Sequence, residues 1–321
     1  MASLKAHLFD AIVRYNVRTR LGPSPDIATI RASFNRKNFP DPPGVAYVPG
    51  EVGGIPGEWV RANAEGPPSG DAPPRLLYLH GGGFIGCSPR THRAITGTFA
   101  RAGFAVFVPD YRLAPEHPFP AGLDDAVAAW RAFAADGPAV IAGDSAGGNL
   151  ALGVMGEARR LGLPMPAAAA LFSPSTDLLG RGASFLGNRR WDAMFRPESL
   201  GRLVPAYMGG ADPLDPRASP IEADLAGLPP LLIHVGAREI LRDDSVRLAR
   251  KAETAGVRVA LTVWPVVPHV WQLAQTVLPE ARRSMAEASA FLKAELAGAP
   301  GTDTAKGAGK APVGATRETA A

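Results

Sequence analysis

The sequence has a single cysteine, no extended apolar run and no concentration of charge. Cys87 alone cannot form an internal disulfide, and no cluster of cysteine and histidine has the spacing of metal ligands. No run of about 18 apolar residues occurs, so no membrane-spanning helix is predicted. The net charge of +4 is small and the basic residues are scattered, which argues against a nucleic-acid partner.

The chain nevertheless has the length and composition of a soluble globular protein, with 321 residues, 46% of them hydrophobic. Its first residues show no secretory pattern, so we expect a cytoplasmic location. Leu4, Leu8, Ile12 and Tyr15 instead recur at helical spacing, which predicts an amphipathic helix. We expect the apolar face of this helix to pack on its own domain rather than on a membrane surface.

Short apolar runs alternate with helical segments from residue 75 onward. Strand-length runs occur at 75–80, 104–109, 139–144 and 259–265, and in the segments "AAAALFSP" and "PLLIHVG". Because these runs do not alternate polar and apolar residues, they predict an α/β fold with a mostly parallel sheet and helices on both faces. Ligands of such open sheets bind at the carboxyl ends of the strands.

Three other tracts depart from this alternation. Two β-rich runs between 45 and 63 predict a hairpin at the edge of the sheet. A tract near 178–228, rich in Gly, Pro and Arg, predicts an insertion over the sheet. Residues 298–321 carry almost no large apolar side chains, so they are predicted to be a disordered tail after one domain, 1–297.

The strongest local pattern is the segment "VIAGDSAGGNLAL". Its Gly-x-Ser-x-Gly element places Ser145 between a strand and a helix, which is typical of a nucleophilic serine on a strained turn. Small residues at Gly143 and Gly147 let the strand and the helix approach closely. The alternative is a glycine-rich turn in which Ser145 only caps the helix.

A second pattern, His80-Gly81-Gly82-Gly83, follows the first predicted strand of the alternating region. Acyl transfer builds negative charge on a carbonyl oxygen, and consecutive glycines give that oxygen access to backbone N–H groups. The N–H groups of Gly82, Gly83 and Ala146 are therefore the predicted oxyanion hole. We expect His80 and Gly81, together with Asp144, to support this turn rather than to transfer protons.

A serine nucleophile needs a base, and the chain offers six histidines. In the α/β-hydrolase order the base follows the serine and the acid, and His269 lies in the loop after the last strand. His234 lies within a predicted strand and is expected to be a hydrogen-bonded core residue. The other four lie before Ser145: His7, His80, His92 and His117.

Four segments, "HGGGF", "PDYRLAPEHPFPA", "GDSAGGNLA" and "VWPVVPHVWQ", occur in this order. Together they resemble the hormone-sensitive-lipase-like esterases, family IV of the bacterial lipolytic enzymes, over residues 40–297. The resemblance implies an α/β-hydrolase fold and a helical cap, formed here by residues 1–40 and 178–228, that shapes the acyl and alcohol pockets. It also implies a homodimer through the exposed last strand.

The resemblance also locates the catalytic acid, which the family usually carries in an Asp-Pro-Leu-x-Asp-Glu segment. "EILRDD" occupies that place here, with Glu239 at the first aspartate and no proline. Glu239 lies in the loop after a predicted strand, so it is the predicted partner of His269, and Asp243 is the alternative. Asp243 and Asp244 are expected to cap the next helix or to favour its dipole.

These residues predict an esterase that acts on small-molecule carboxylic esters of short to medium acyl chain through an acyl-enzyme, with lactones as an alternative substrate. The reaction needs no cofactor and no metal. An amidase, a lactonase or an acyltransferase would use the same three residues. A non-catalytic ligand receptor on the same scaffold is disfavoured because both Ser145 and His269 are present.

Overall fold

A computed structural model of the chain describes residues 2–18, 26–63 and 73–298. The predicted disordered tail lies outside these residues except for Gly298, at the end of the last helix. No helix within the described ranges is long and apolar enough to cross a bilayer.

Eight strands of the described chain form one sheet in the order β1-β2-β4-β3-β5-β6-β7-β8. The pairs β1–β2 and β2–β4 are antiparallel, and every other neighbouring pair is parallel. The mostly parallel sheet and the edge hairpin are therefore as predicted. The strands are β1 Val45–Val52, β2 Ile55–Ala62, β3 Arg75–Leu79, β4 Ala105–Pro109, β5 Ala139–Asp144, β6 Ala169–Phe172, β7 Leu231–Gly236 and β8 Val259–Trp264.

Nine α-helices accompany the sheet in the described ranges. The first continues from Val13 into a π-helical segment, Arg14–Arg18. Short 3-10 helices cover Pro89–His92, Pro220–Glu222 and Trp271–Ala274. The α-helices are α1 Leu4–Val13, α2 Ile27–Phe34, α3 Arg93–Arg101, α4 Ala121–Ala135, α5 Ala146–Leu161, α6 Ala183–Gly187, α7 Pro197–Met208, α8 Arg242–Thr254 and α9 Pro279–Ala297.

Alternate side chains of the central strands enter two separate hydrophobic cores. On β3, Leu77 and Leu79 pack into the core that also contains buried residues of α4, α5 and α8. Leu76 and Tyr78 belong to the other core, with α3 and α9. Because successive side chains of a strand point to opposite faces, each strand serves both cores and must be apolar throughout.

The predicted insertion near 178–228 falls between β6 and β7 and contains α6 and α7. Leu203 of α7 and Phe34 of α2 both lie close to Gly83 of the glycine turn, with Leu203 Cδ1 only 2.7 Å from the point where a Cβ would stand. These two helices therefore lie over the carboxyl ends of the strands, where a ligand would bind.

The N-terminal helix forms where it is predicted but turns its other face to the domain. Ala6, Asp10 and Val13 are buried, whereas the predicted packing residues Leu4, Leu8, Ile12 and Tyr15 are exposed. The expectation that this apolar face packs on the domain is therefore wrong. Ala6 joins the cluster of Trp264 and Trp271, and only a small side chain lets the helix approach two indole rings so closely.

Candidate active site

Ser145 occupies a sharp turn between β5 and α5. Its backbone has φ 53° and ψ −119°. This conformation is strained for any residue other than glycine. A Cβ on Gly143 would lie 2.4 Å from the carbonyl oxygen of Gly147, and one on Gly147 would lie 2.0 Å from that of Leu79. Only glycine fits at these two positions, so the strand and the helix meet closely and Ser145 faces the cavity above the sheet.

The glycine turn after β3, Gly81 to Gly83, is fixed by hydrogen bonds to the buried carboxylate of Asp144. Its Oδ1 accepts hydrogen bonds from the Tyr78 hydroxyl at 2.6 Å and the Gly81 N–H at 3.1 Å. Its Oδ2 lies 3.3 Å from Nε2 of His92. Burial alone would raise the pKa of Asp144, but the facing His92 and the Tyr78 hydroxyl hold it below its usual value. The carboxylate thus remains charged and fixes the turn.

His80 is fully buried beneath the same turn. Its Nδ1 donates to the carbonyl of Gly81 at 2.7 Å, and its ring stacks on Tyr111 with 4.4 Å between centroids. Burial, reinforced by His92, lowers the pKa of His80 to about 3, so its imidazole stays neutral. These contacts are those expected of a residue that supports the turn.

The turn leaves backbone donors without acceptors. Within the described residues, the N–H groups of Gly82, Gly83 and Ala146 have no hydrogen-bond acceptor. Gly82 has φ 115° and Gly83 has φ 60°, values that favour glycine. Gly82, Gly83 and Ser145 line one cavity, with Ala146 following Ser145 at the start of α5.

His269 and Glu239 form a buried pair at the other side of this cavity. Nδ1 of His269 donates to Oε2 of Glu239 at 2.6 Å. The remaining oxygen, Oε1, accepts from the Gly236 N–H at 2.6 Å and from the Ser173 hydroxyl at 2.7 Å. Both carboxylate oxygens are therefore hydrogen-bonded, as a buried charge requires. Nε2 of His269 is buried and has no hydrogen-bond partner among the described residues.

The charge of Glu239 also sets the protonation of His269. Burial disfavours the imidazolium and lowers the pKa, but the charge and the hydrogen bond of Glu239 outweigh burial and raise the pKa above 6.5. A raised pKa makes Nε2 of His269 a stronger proton acceptor, as a general base requires.

Asp243 and Asp244 contact other parts of the chain. Oδ2 of Asp243 accepts from the Ser184 N–H at 2.9 Å, and Oδ2 of Asp244 accepts from the Thr176 N–H at 2.6 Å. Both lie in the first turn of α8, where an acid favours the dipole, as predicted. The alternative prediction, that they cap α8, is wrong because the cap position is Leu241 and each carboxylate is already bound elsewhere.

The structure places the other histidines apart from this pair. His234 is buried in β7, with Nδ1 2.8 Å from the Ser284 hydroxyl, as predicted for a core residue. His92 ends a 3-10 helix and faces Asp144. His7 and His117 are exposed.

Two buried residues near the site were not predicted. Ser173 donates to Glu239, and its position directly after a buried strand was the available signal. Asp192 accepts from the N–H groups of Phe195 at 2.8 Å and Ile240 at 2.8 Å, so it ties the 178–228 tract to the loop of Glu239. Asp192 lies in an irregular segment without periodicity, where the sequence carries no comparable signal.

Two cavities meet at Ser145. One, of about 320 Å³, also contains His269, and the other, of about 310 Å³, contains Phe84, Leu178 and Leu241. Gly83, Ser145, Leu200 and Leu203 border both. Leu200 and Leu203 of α7 therefore separate two largely apolar cavities, and Ser145 lines both of them.

Comparison with known proteins agrees with this geometry. A family profile described as the alpha/beta hydrolase fold matches residues 76–273. The crystal structure of an esterase from the bacterial hormone-sensitive lipase family superposes with a TM-score of 0.84. It is 37% identical in sequence, and the match covers 92% of this chain and 99% of that one. The chain belongs to the hormone-sensitive-lipase-like esterases of the α/β-hydrolase fold.

Two further proteins are similar to this chain over most of its length. An acetyl-hydrolase of Streptomyces hygroscopicus is 40% identical over 303 residues, which cover 91% of this chain and 97% of the relative. The crystal structure of EstE5 soaked with p-nitrophenyl butyrate superposes with a TM-score of 0.85 and 38% identity. That match covers 92% of this chain and all of EstE5. The predicted family, fold and reaction class are confirmed, and the protein is an esterase.

Proposed function

We propose that this esterase hydrolyses short- to medium-chain acyl esters through a triad of Ser145, His269 and Glu239. The observation that carries the proposal is the buried hydrogen bond of 2.6 Å between His269 and Glu239, in a cavity that also contains Ser145. A carboxylate on Nδ1 fixes the tautomer in which Nε2 accepts a proton. Nε2 has no other partner among the described residues, which supports its role as the base.

In the proposed reaction, the hydroxyl oxygen of Ser145 attacks the ester carbonyl while its proton passes to Nε2 of His269. The negative charge on the carbonyl oxygen is stabilised by the N–H groups of Gly82, Gly83 and Ala146. The C–O bond to the alcohol then breaks, and the alcohol leaves with the proton from His269. Water hydrolyses the acyl-enzyme by the same two steps, with His269 again as base and then as acid.

We further propose that residues 1–40 and 178–228 act as the cap and separate an acyl pocket from an alcohol pocket. Leu200 and Leu203 of α7 border both cavities, and neither cavity exceeds about 320 Å³. Spaces of this size accommodate short and medium chains more easily than long ones. The relative named an acetyl-hydrolase and the butyrate ester soaked into EstE5 support the same range. The predicted dimer through β8 and the cytoplasmic location stay predictions.

The proposal is tested with p-nitrophenyl esters of graded acyl length, from acetate to laurate, and with γ- and δ-lactones. We expect the highest kcat/KM for short and medium esters. Ser145→Ala should reduce turnover at least about 10³-fold, because the oxyanion hole and substrate binding alone retain only a small part of the catalysis.

The control is Ser289→Ala, because Ser289 lies on α9 and lines neither cavity. It should retain most of the activity. Undiminished turnover by Ser145→Ala would contradict the mechanism, and a maximum at laurate would contradict the chain-length range.

A further inference from the structure

The outer face of α1 and the following π-helical segment carries large apolar side chains that no part of the described chain covers. Leu4 is 89% exposed, Leu8 63%, Ile12 46% and Tyr15 73%. Their spacing of three and four residues places them on one side of the helix. Such a contiguous apolar strip on a soluble protein marks an interaction surface more often than isolated exposed leucines do.

The strip borders the catalytic cavity. Ile12 belongs to the strip and also lines the cavity of Ser145 and His269, together with Phe9 and Val13 of the same helix. Because Ile12 is also 46% exposed, a partner bound to the strip would lie beside this cavity.

The charges around the strip are positive. Lys5, Arg14 and Arg18 are the cations of segment 2–18, and its one acid, Asp10, is buried and paired with Arg238 at 3.4 Å. An anionic partner would therefore meet no exposed carboxylate on this segment.

The neighbouring loop adds an aromatic residue and two further cations. Guanidinium groups of Arg14 and Arg18 donate to backbone carbonyls of residues 189–192, which fixes this loop against the helix. Trp191 is 57% exposed, and Arg189 and Arg190 are exposed beside it. Apolar, aromatic and basic side chains on one surface are the combination that binds the headgroup region of an anionic lipid layer.

We propose that the strip of Leu4, Leu8, Ile12 and Tyr15, with loop 189–191, docks this esterase on an anionic lipid surface. Docking places the cavity entrance against the lipid, so that esters dissolved in the layer enter without crossing water. A second copy of the chain fits the strip less well, because a symmetric contact would bring the same cations together.

The test measures binding of the full chain to sedimented vesicles of phosphatidylcholine, with and without phosphatidylglycerol. We expect binding to the anionic vesicles, weakened by salt, and little to the neutral ones. The double variant Leu4→Glu/Leu8→Glu should bind the anionic vesicles at least about tenfold more weakly, because two leucines no longer enter the lipid and two anions oppose it.

The control is Leu161→Glu, which places one negative charge on a leucine that is 38% exposed. Leu161 ends α5, about 24 Å along the helix axis from Ser145 and thus far from the cavity. The Leu161→Glu variant should bind vesicles as the wild type does. Equal binding by the wild type and the double variant, or no binding at all, would overturn the proposal.

Two further measurements separate this proposal from others. Leu4 and Leu8 line neither cavity, so turnover of water-soluble p-nitrophenyl butyrate should be the same in the double variant and the wild type. Hydrolysis of a long-chain ester embedded in anionic vesicles should fall. If the wild type showed no turnover of the soluble ester, the proposed function would be contradicted. Vesicle binding would still test the docking proposal separately. If sedimentation shows a dimer that the double variant abolishes, and no vesicle binding occurs, the strip is an interface between copies.

Discussion

At the scale of single residues, Glu239 has the contacts that the proposed acid requires. It is buried, both oxygens are hydrogen-bonded, and its charge raises the pKa of His269. Glu239→Gln keeps the size of the side chain but removes the charge that stabilises the imidazolium. We expect kcat to fall about 10³- to 10⁴-fold, as when a triad acid becomes an amide. Steady-state kinetics on p-nitrophenyl butyrate measures this loss.

The matched control is Asp243→Asn, four residues further along the chain. The Oδ1 atom of asparagine can still accept from the Ser184 N–H, so kcat should remain close to that of the wild type. A large loss in Asp243→Asn with little effect of Glu239→Gln would make Asp243 the acid.

The hydrogen-bonded pair of His269 and Glu239 also determines how activity depends on pH. The proposed base must be neutral, and its pKa lies above 6.5 because Glu239 favours the charged form. We therefore expect kcat/KM to fall as the pH drops through a value above 6.5. In Glu239→Gln the remaining activity should fall at a lower pH, because the charge that raised the pKa is absent. A pH profile of both proteins tests this, and an unshifted acidic limb would contradict it.

At the scale of elements, the contact between β3, β5 and α5 decides whether Ser145 can occupy its turn. Gly147 and Gly156 both belong to α5, but their surroundings differ. A Cβ on Gly147 would lie 2.0 Å from the carbonyl oxygen of Leu79, whereas one on Gly156 would meet nothing within 4 Å. We expect Gly147→Ala to lower the free energy of unfolding by about 3 kcal/mol or more, since backbone must move.

Gly156→Ala provides the matched control for this effect. Alanine loses less conformational entropy than glycine in a helix, so this variant should gain about 0.5 to 1 kcal/mol. Urea denaturation of both variants measures the two changes. Similar stabilities of the two variants would show that the helix can shift away from the strand at little cost.

The elements also show which features a sequence can predict. The apolar strands and the segments around Ser145 and the glycine turn were predictable, because burial on both faces and close backbone approach each demand particular residue types. The orientation of α1 was not, since periodicity identifies an apolar face but not its partner. The roles of Ser173 and Asp192 were also hidden, because their hydrogen bonds join residues far apart in the chain.

At the scale of the whole molecule, another buried carboxylate joins the helical layer to the sheet. Asp244, in the first turn of α8, accepts from the N–H groups of Thr176 and Asp177, in the loop after β6. Burial raises the pKa of Asp244 to about 7, and although the two N–H groups oppose this, the nearby charge of Asp177 adds to it. In the folded protein this carboxyl is thus largely protonated at mildly acidic pH.

This raised pKa predicts a stability that changes with pH. An unfolded Asp244 would ionise near its ordinary value of 3.8, so between about pH 4 and pH 7 the folded state holds one proton more than the unfolded state. The contribution of Asp244 to the free energy of unfolding is therefore fully present below pH 4 and is lost as the pH rises to about 7. The asparagine of Asp244→Asn cannot ionise. As the pH rises from 4 to 7, the free energy of unfolding of this variant should therefore increase relative to that of the wild type, by at most about 4 kcal/mol. Urea denaturation of both proteins at several values between pH 4 and pH 8 measures the difference, and a difference that is independent of pH would show that the folded state holds Asp244 charged.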